Sequence, residues 1–217
     1  TGIKVSVESY ASNEEMLAKL LAGGGNYDLI QPSEYVIEGL IKENLLTPID
    51  HAAIPNIKNI APEFTNMSFD PGNKFSIPYM AGAVGIVVDT ELVKDEIKSY
   101  NDVFQSKFSK NIVVLDDARE IVGWAFDTLG IPINEASDEN LEKVKPVLAK
   151  WLPLVKVFDS DSPKSALLNG HVALGIIWGG EGAILVNEDK KFKWIVPAEG
   201  AHLFVDNLAI PKTAAHV

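Results

Sequence analysis

Acidic and aromatic side chains recur together in the second half of the chain, at the ends of predicted β-strands. Three strand ends each carry an acid and two also carry an aromatic ring, and the residues are Asp117, Glu120, Trp178, Glu181, Phe204 and Asp206. Carboxylates make charge-assisted hydrogen bonds to ammonium groups. Trp and Phe faces cover alkyl chains and attract cations through cation–π contact. The set therefore suits a cation whose charged groups are separated by methylenes.

The same residues also have structural interpretations. Asp117 and Glu120 have the spacing of a capping box, in which both side chains bond backbone N–H groups at a helix start. Glu181 has the position of a helix cap, while Trp178 and Phe204 would serve equally well in core packing. From these residues alone, both interpretations stay open.

Enzyme catalysis is not expected. Asp117 and Glu120 are neighbours on one helix start, whereas glycoside hydrolysis uses two carboxylates that flank the bond. The glycine run 23–25 lacks the Lys-Ser/Thr of a P-loop. Three histidines occur singly, without the spacing of metal ligands: His51, His171 and His202. We therefore predict no catalytic residue, no cofactor and no metal site.

Two related binding functions remain as alternatives, a metal-ion carrier and a carrier of another cationic solute. Ligands with an α-carboxylate usually require an arginine. Arg119 is the only arginine, and it lies inside the predicted capping sequence. A ligand without a carboxylate is therefore favoured.

The elements that would position these side chains alternate between strands and helices. The predicted strands are residues 3–8, 27–31, 75–80, 83–89, 112–115, 155–158, 172–177, 194–197 and 203–206. The predicted helices are residues 16–21, 34–43, 118–129, 137–152 and 163–169. Because 172–177 is nearly all apolar, we expect a central parallel strand buried on both faces. The alternation predicts an α/β protein with mixed, mostly parallel sheets flanked by helices.

Composition agrees with a globular binding protein. The chain has 217 residues, 47% of them hydrophobic, and a formal net charge of −11. Such acidity argues against a nucleic-acid partner and is compatible with a cationic ligand. The absence of cysteine removes disulfides and thiolate metal sites, and no segment has the apolar length of a transmembrane helix.

Seven sequence blocks occur in an order that resembles a known family. They are 1–5 (TGIKV), 27–33 with Tyr35 (YDLIQPS), 69–73 (FDPGN), 76–79 (SIPY), 116–120 (DDARE), 174–178 (LGIIW) and 206–211 (DNLAIP). On these blocks the chain resembles the polyamine-binding (spermidine/putrescine) solute-binding proteins of ABC transporters. The resemblance implies a two-lobed periplasmic-binding-protein-like fold of type II, which closes on a protonated polyamine and delivers it to a membrane permease.

The resemblance also implies roles for single residues. Ser33 and Tyr35 would line the first lobe, and Asp117 with Glu120 would hold ammonium groups from the second. Trp178 would lie against the methylenes of the ligand, and Asp206 would take an amine. Two positions favour putrescine over spermidine, an acid at Glu181 and a Phe in place of Trp at Phe204.

Lobe boundaries follow from the same comparison. Residues 1–82 would form lobe 1, residues 83–205 lobe 2, and residues 206–217 the return towards lobe 1. Family members carry a further strand and helix before the position of Thr1, and further helices after the position of Val217. We therefore expect an incomplete first lobe and a trimmed or partial chain, in need of a complementing segment or chain swap. The implied location is the periplasm, or the outer face of the cell membrane with a lipid anchor in a Gram-positive cell.

Overall fold

The computed structural model of this chain describes residues 2–10, 12–22 and 27–216. The α-helices are α1 Asn13–Leu21, α2 Glu34–Lys42, α3 Tyr100–Val103, α4 Ala118–Thr128, α5 Asp138–Trp151, α6 Lys164–Leu168 and α7 Gly179–Glu188. The strands are β1 Ser76–Asp89, β2 Ile112–Val114, β3 Val157–Phe158, β4 Leu174–Trp178, β5 Phe192–Ile195 and β6 Leu203–Ala209. Short 3₁₀ helices are His51–Ala53, Pro55–Asn59, Pro62–Phe64, Ser106–Phe108 and Leu152–Leu154.

The chain divides into two compact units. Unit 1 comprises residues 1–81 and 204–217, and unit 2 comprises residues 82–203. Strands β1 and β6 each run from one unit into the other.

The sheet has the strand order β3-β2-β4-β1-β5, and β6 pairs with β1. Strand β2 is parallel to both β3 and β4, whereas β1 is antiparallel to β4 and β5. Parallel neighbours need long crossover connections, which α4 with α5 and then α6 supply. The carboxyl ends of β3, β2 and β4 therefore lie at one edge of the sheet. Strand β4 is buried as expected, but it is parallel on one side only.

Aromatic stacking fixes helices against the sheet of unit 2. Tyr100 and Trp124 stack with ring centroids 5.8 Å apart, and Phe104 and Trp151 with centroids 4.2 Å apart. All four rings are buried, and aromatic pairs of this kind add about 0.5–1.5 kcal/mol beyond their burial. This packing holds α4, whose first turn carries predicted site residues.

The core of unit 1 lies between α1, α2 and the end of β6. Its buried members are Met16, Ile30, Val36, Ile37, Leu40, Leu46 and Ala209. Ser12 caps helix α1, because its Oγ accepts a hydrogen bond from Glu15 N at 3.1 Å.

Two predicted strands of unit 1 are wrong. Residues 3–8 form no strand, and Ile3, Val5 and Val7 are exposed. Alternation describes a strand with two different faces, but a strand also needs a neighbour for its hydrogen bonds, and none pairs with this segment among the described residues. The segment 27–31 keeps only an isolated bridge between Ile30 and Ala209. In contrast, the two predicted segments at 75–80 and 83–89 join into the single strand β1.

Candidate functional site

The parallel strands of unit 2 place the three segments that follow them at one edge of the sheet. Asp117 follows β2, Ser160 follows β3, and Gly179 follows β4. The ends of adjacent parallel strands are the usual position of ligands in open α/β sheets. The prediction of acids at this edge is therefore confirmed for the segments that follow β2 and β4.

Asp117 caps helix α4. Its carboxylate accepts a hydrogen bond from the backbone N–H of Glu120 at 3.0 Å. The reciprocal half of the predicted capping box does not form, because the Glu120 side chain turns into the interior instead. The cap orients the first turn of α4 and thereby sets the direction of Glu120.

Glu120 belongs to a buried network. Its Oε2 accepts hydrogen bonds from Trp124 Nε1 at 3.1 Å and from His202 Nδ1 at 2.9 Å. His202 Nε2 lies 2.8 Å from Asp127 Oδ2, and His202 is 8% exposed. Burial opposes a charge on His202, but hydrogen bonds to Asp127 and Glu120 outweigh it and raise the pKa of His202 to about 9. At neutral pH the imidazolium of His202 thus donates hydrogen bonds to both carboxylates. The bonds from His202 and Trp124 both end on Oε2 of Glu120, and Oε1 takes part in neither of them.

Trp178 ends strand β4 and is fixed by the neighbouring loop. Its Nε1 donates to the carbonyl oxygen of Ser160 at 3.0 Å. The hydroxyl of Ser160 is buried and has no hydrogen-bond partner among the residues that the structure describes. A buried hydroxyl without a partner is uncommon in native proteins.

Glu181, in the first turn of α7, is paired within unit 2. The ammonium of Lys164 bonds to its Oε1, and the backbone N–H of Lys164 donates to its Oε2 at 3.1 Å. Both side chains are largely shielded, with exposures of 26% for Lys164 and 15% for Glu181. The acid predicted to select putrescine therefore already has a cation.

In unit 1, Asp206 and Ser33 are joined directly. Ser33 Oγ donates to Asp206 Oδ1 at 2.8 Å, and the two residues form an antiparallel bridge. Asn13 Nδ2 donates to Ser33 Oγ at 3.0 Å. Burial raises the pKa of Asp206, and the hydrogen bond from Ser33 only partly offsets this effect. These hydrogen bonds fix the orientation of the Asp206 carboxylate. The carboxylate is half-buried and lacks a charged partner among the described residues.

Phe204 and Asp206 lie inside β6 and not at its end, which corrects the predicted strand end. Alternate residues of β6 are buried, so Phe204 and Asp206 share its more exposed face. Tyr35 lies on α2, where its hydroxyl donates to Glu14 Oε1 at 3.1 Å and its ring packs on the core of unit 1.

The structure thus groups the predicted residues within each unit. Unit 2 combines two carboxylates at the start of α4 with an aromatic ring and a third acid after β4. Unit 1 combines a carboxylate with a hydroxyl that donates to it. No group of three or more metal-ligating side chains occurs in residues 2–10, 12–22 and 27–216, and no helix there is long and apolar enough to cross a membrane.

The sequence did not predict the contacts that Ser160, Lys164 and His202 make with the predicted site residues. His202 contacts Glu120 from 82 positions away, and Lys164 is 17 positions from Glu181. The only available signal was the predicted strand before Ser160, because a polar residue at a parallel strand end is a candidate for ligand contact.

Comparisons with known proteins agree with this architecture. The family model for bacterial extracellular solute-binding proteins matches residues 1–217. The Haemophilus influenzae spermidine/putrescine-binding periplasmic protein 1 is 38% identical over 99% of this chain and 60% of its own length. The Escherichia coli K12 putrescine-binding periplasmic protein PotF is 30% identical over 99% of this chain and 63% of its own length. The chain therefore spans about three fifths of the length of these relatives.

Solved structures show the same relationship. A Listeria monocytogenes protein assigned to a spermidine/putrescine ABC transporter aligns with a TM-score of 0.94 and 34% identity, over 99% of this chain and 66% of its own. The Tp0655 (TpPotD) lipoprotein of Treponema pallidum aligns with a TM-score of 0.85 and 28% identity, over 95% of this chain and 66% of its own. The predicted α/β periplasmic-binding-protein class is confirmed. The chain belongs to the bacterial extracellular solute-binding protein family, and its relatives there are the spermidine/putrescine-binding proteins of ABC transporters.

Proposed function

We propose that this chain binds a protonated polyamine as the solute-binding part of an ABC importer. The state of Asp206 carries the proposal. Its half-buried carboxylate accepts a hydrogen bond from Ser33, and no cationic side chain in the described residues pairs with it. A buried carboxylate without a cation is costly. A ligand ammonium would supply the missing charge, whereas a carboxylate ligand would be repelled.

Unit 2 supplies complementary groups under the proposal. Glu120 would accept an ammonium through Oε1, because His202 and Trp124 hold Oε2. Asp117 would add a second negative charge nearby. Trp178, held by its hydrogen bond to the Ser160 carbonyl, would cover the methylenes. Under this proposal, side chains of both units would contact one ligand, as they do in a cleft between two lobes.

Putrescine is the polyamine that we propose as preferred. Phe204 would offer a smaller face to the methylenes than a Trp, and Glu181, whose carboxylate Lys164 already holds, would not serve a third ammonium group. Curated relatives named for putrescine alone and for both amines are similar to the chain, so the family does not decide between the two ligands.

The partners and location follow from the names of the relatives. We propose that a membrane permease receives the polyamine, and that the protein works in the periplasm or, as a lipid-anchored protein, at the outer face of the membrane. The relatives named as periplasmic and the Treponema lipoprotein support these two locations.

Isothermal titration calorimetry tests the proposal. Putrescine should bind with a lower Kd than spermidine, and lysine should give no measurable heat because its α-carboxylate meets acids. The titrations should be run on this chain and on a protein of the relatives' full length that contains it. Absence of heat with every polyamine in the longer protein would refute polyamine binding.

A further inference from the structure

Lys164 is bonded to Glu181, one of the predicted ligand acids. It is the first residue of α6, directly after the loop that follows β3. Its ammonium bonds to Glu181 Oε1 while its own backbone N–H donates to Glu181 Oε2 at 3.1 Å. Both oxygens of the carboxylate are therefore occupied by one residue.

The chemistry of this contact matches that of the proposed ligand. A lysine side chain is a primary ammonium on four methylenes, and putrescine is a four-methylene chain with a primary ammonium at each end. Glu181 therefore already holds the kind of group that a polyamine would present to it. The pair is shielded from water, so its charge neutralisation is stronger than that of an exposed ion pair.

The position of Lys164 relative to Trp178 makes the contact relevant to binding. Ser160 and Lys164 lie four residues apart, and the Ser160 carbonyl accepts the Trp178 Nε1 hydrogen bond. Trp178 and Glu181 are three residues apart at the junction of β4 and α7. Through its bonds to Glu181, Lys164 is thus joined to the segment expected to meet the ligand.

We propose that Lys164 determines specificity, as a built-in cation that occupies an ammonium position at Glu181. This proposal rests on the proposed function. Because Lys164 neutralises Glu181, the ligand would meet one negative charge fewer than the number of acids. A dication then matches the site better than a trication, since each additional ligand ammonium needs its own carboxylate. Lys164 would therefore favour putrescine over spermidine by excluding charge, in addition to any effect of size.

A purely structural role is the competing explanation. Glu181 would then serve only to cap the short helix α6 and to join it to α7. That role predicts a lower melting temperature when the pair is broken and no change in the ratio of the two ligand affinities. The ratio is therefore the readout that separates the two roles.

The test compares Lys164→Gln, Lys164→Arg and Lys145→Gln with the parent protein of the relatives' full length. Lys145 forms an exposed ion pair with Glu142 on α5, so Lys145→Gln makes the same change in charge away from the strand ends. Calorimetry gives Kd for putrescine and spermidine, and thermal unfolding checks that each variant folds. Lys164→Gln should bind spermidine about tenfold more tightly, with a smaller gain for putrescine, so that the Kd ratio shifts at least about threefold towards spermidine.

The outcomes are distinct. Lys164→Arg and Lys145→Gln should keep the parent ratio, because the first retains the cation and the second leaves Glu181 paired. A folded Lys164→Gln protein with the parent ratio would overturn the role of Lys164 but leave polyamine binding intact. If Lys164→Gln does not fold, Lys164→Met is measured in its place by the same criterion. Failure of the parent to bind either amine would instead refute the proposed function itself.

Discussion

At the scale of single residues, the acids proposed to bind the ligand differ in their electrostatic surroundings. Glu120 shares an imidazolium with Asp127, Glu181 has its own lysine, and Asp206 has only the hydroxyl of Ser33. An acid with a cation is stable without ligand, whereas an acid without one is destabilising until the ligand arrives. The three acids should therefore respond differently to neutralisation.

Asp206→Asn should stabilise the ligand-free protein and weaken binding. Burial raises the pKa of Asp206, so the folded state resists loss of this proton. The resulting cost is absent below the usual pKa of 3.8 and grows as pH rises through the raised pKa. At pH 7 the variant should thus resist urea better than the parent, and at pH 3 the two should coincide. Putrescine affinity should fall about 10- to 150-fold, the scale of a lost charge-assisted hydrogen bond.

Glu63→Gln is the matched control for this change. Glu63 is exposed in unit 1, and its neutralisation alters net charge equally. Equal losses of affinity in both variants would show that only overall charge matters. A less stable Asp206→Asn protein at pH 7 would contradict the assigned electrostatic cost.

At the scale of elements, His202 connects the start of β6 to two turns of α4. It reaches Glu120 and Asp127, the charged groups that face its ring, while Trp124 and Tyr100 beside them stay neutral. Because its pKa is raised from 6.5 to about 9, its stabilising contribution is complete below pH 6.5 and is lost as pH rises to about 9. The contribution is on the order of 3 kcal/mol.

His202→Gln should remove this pH dependence. The parent's free energy of unfolding should fall between pH 6.5 and 9, whereas that of the variant should be lower at pH 6.5 and nearly flat. Urea titrations at several pH values measure both curves. His171→Gln, at an exposed position, should follow the parent, and a parallel fall in His202→Gln would assign the pH dependence to other groups.

Helix α7 depends on a close contact between Gly182 and the ring of Trp194. A Cβ at Gly182 would lie 2.3 Å from that ring, whereas a Cβ at Gly39 of α2 would meet nothing within 4 Å. Gly182→Ala should lower the free energy of unfolding by about 1–3 kcal/mol through overpacking. Gly39→Ala should raise it by about 0.5–1 kcal/mol, because alanine favours helices. Thermal unfolding compares the two, and equal effects would show that the Trp194 contact is unimportant.

The elements show which information a sequence carries. Apolar periodicity and caps predicted α1, α2, α4, α5 and the buried strands, because these signals are local. The alternation at 3–8 did not become a strand, since pairing depends on a neighbour that the segment itself does not specify. Likewise the places of Asp117 and Glu181 after β2 and β4 were predictable, but the contacts that His202 and Lys164 make with Glu120 and Glu181 were not. Those contacts arise only when distant segments fold together.

At the scale of the whole molecule, the proposed function would have the ligand contact both compact units. Unit 1 holds Asp206 and unit 2 holds Glu120, and strands β1 and β6 connect the units. By mass action a ligand stabilises every unit on which its binding depends, so a ligand bound by both units must stabilise both.

Hydrogen exchange with and without putrescine distinguishes these cases. At a ligand concentration of about 100 Kd, the free energy of opening should rise by about 2.7 kcal/mol. This rise should appear in the amides of α2 in unit 1 and of α4 in unit 2. Asp206→Asn should reduce protection in both helices together, because a single binding event provides it. Protection confined to α4 would mean that unit 2 alone holds the ligand, and the contribution assigned to Asp206 would then be wrong.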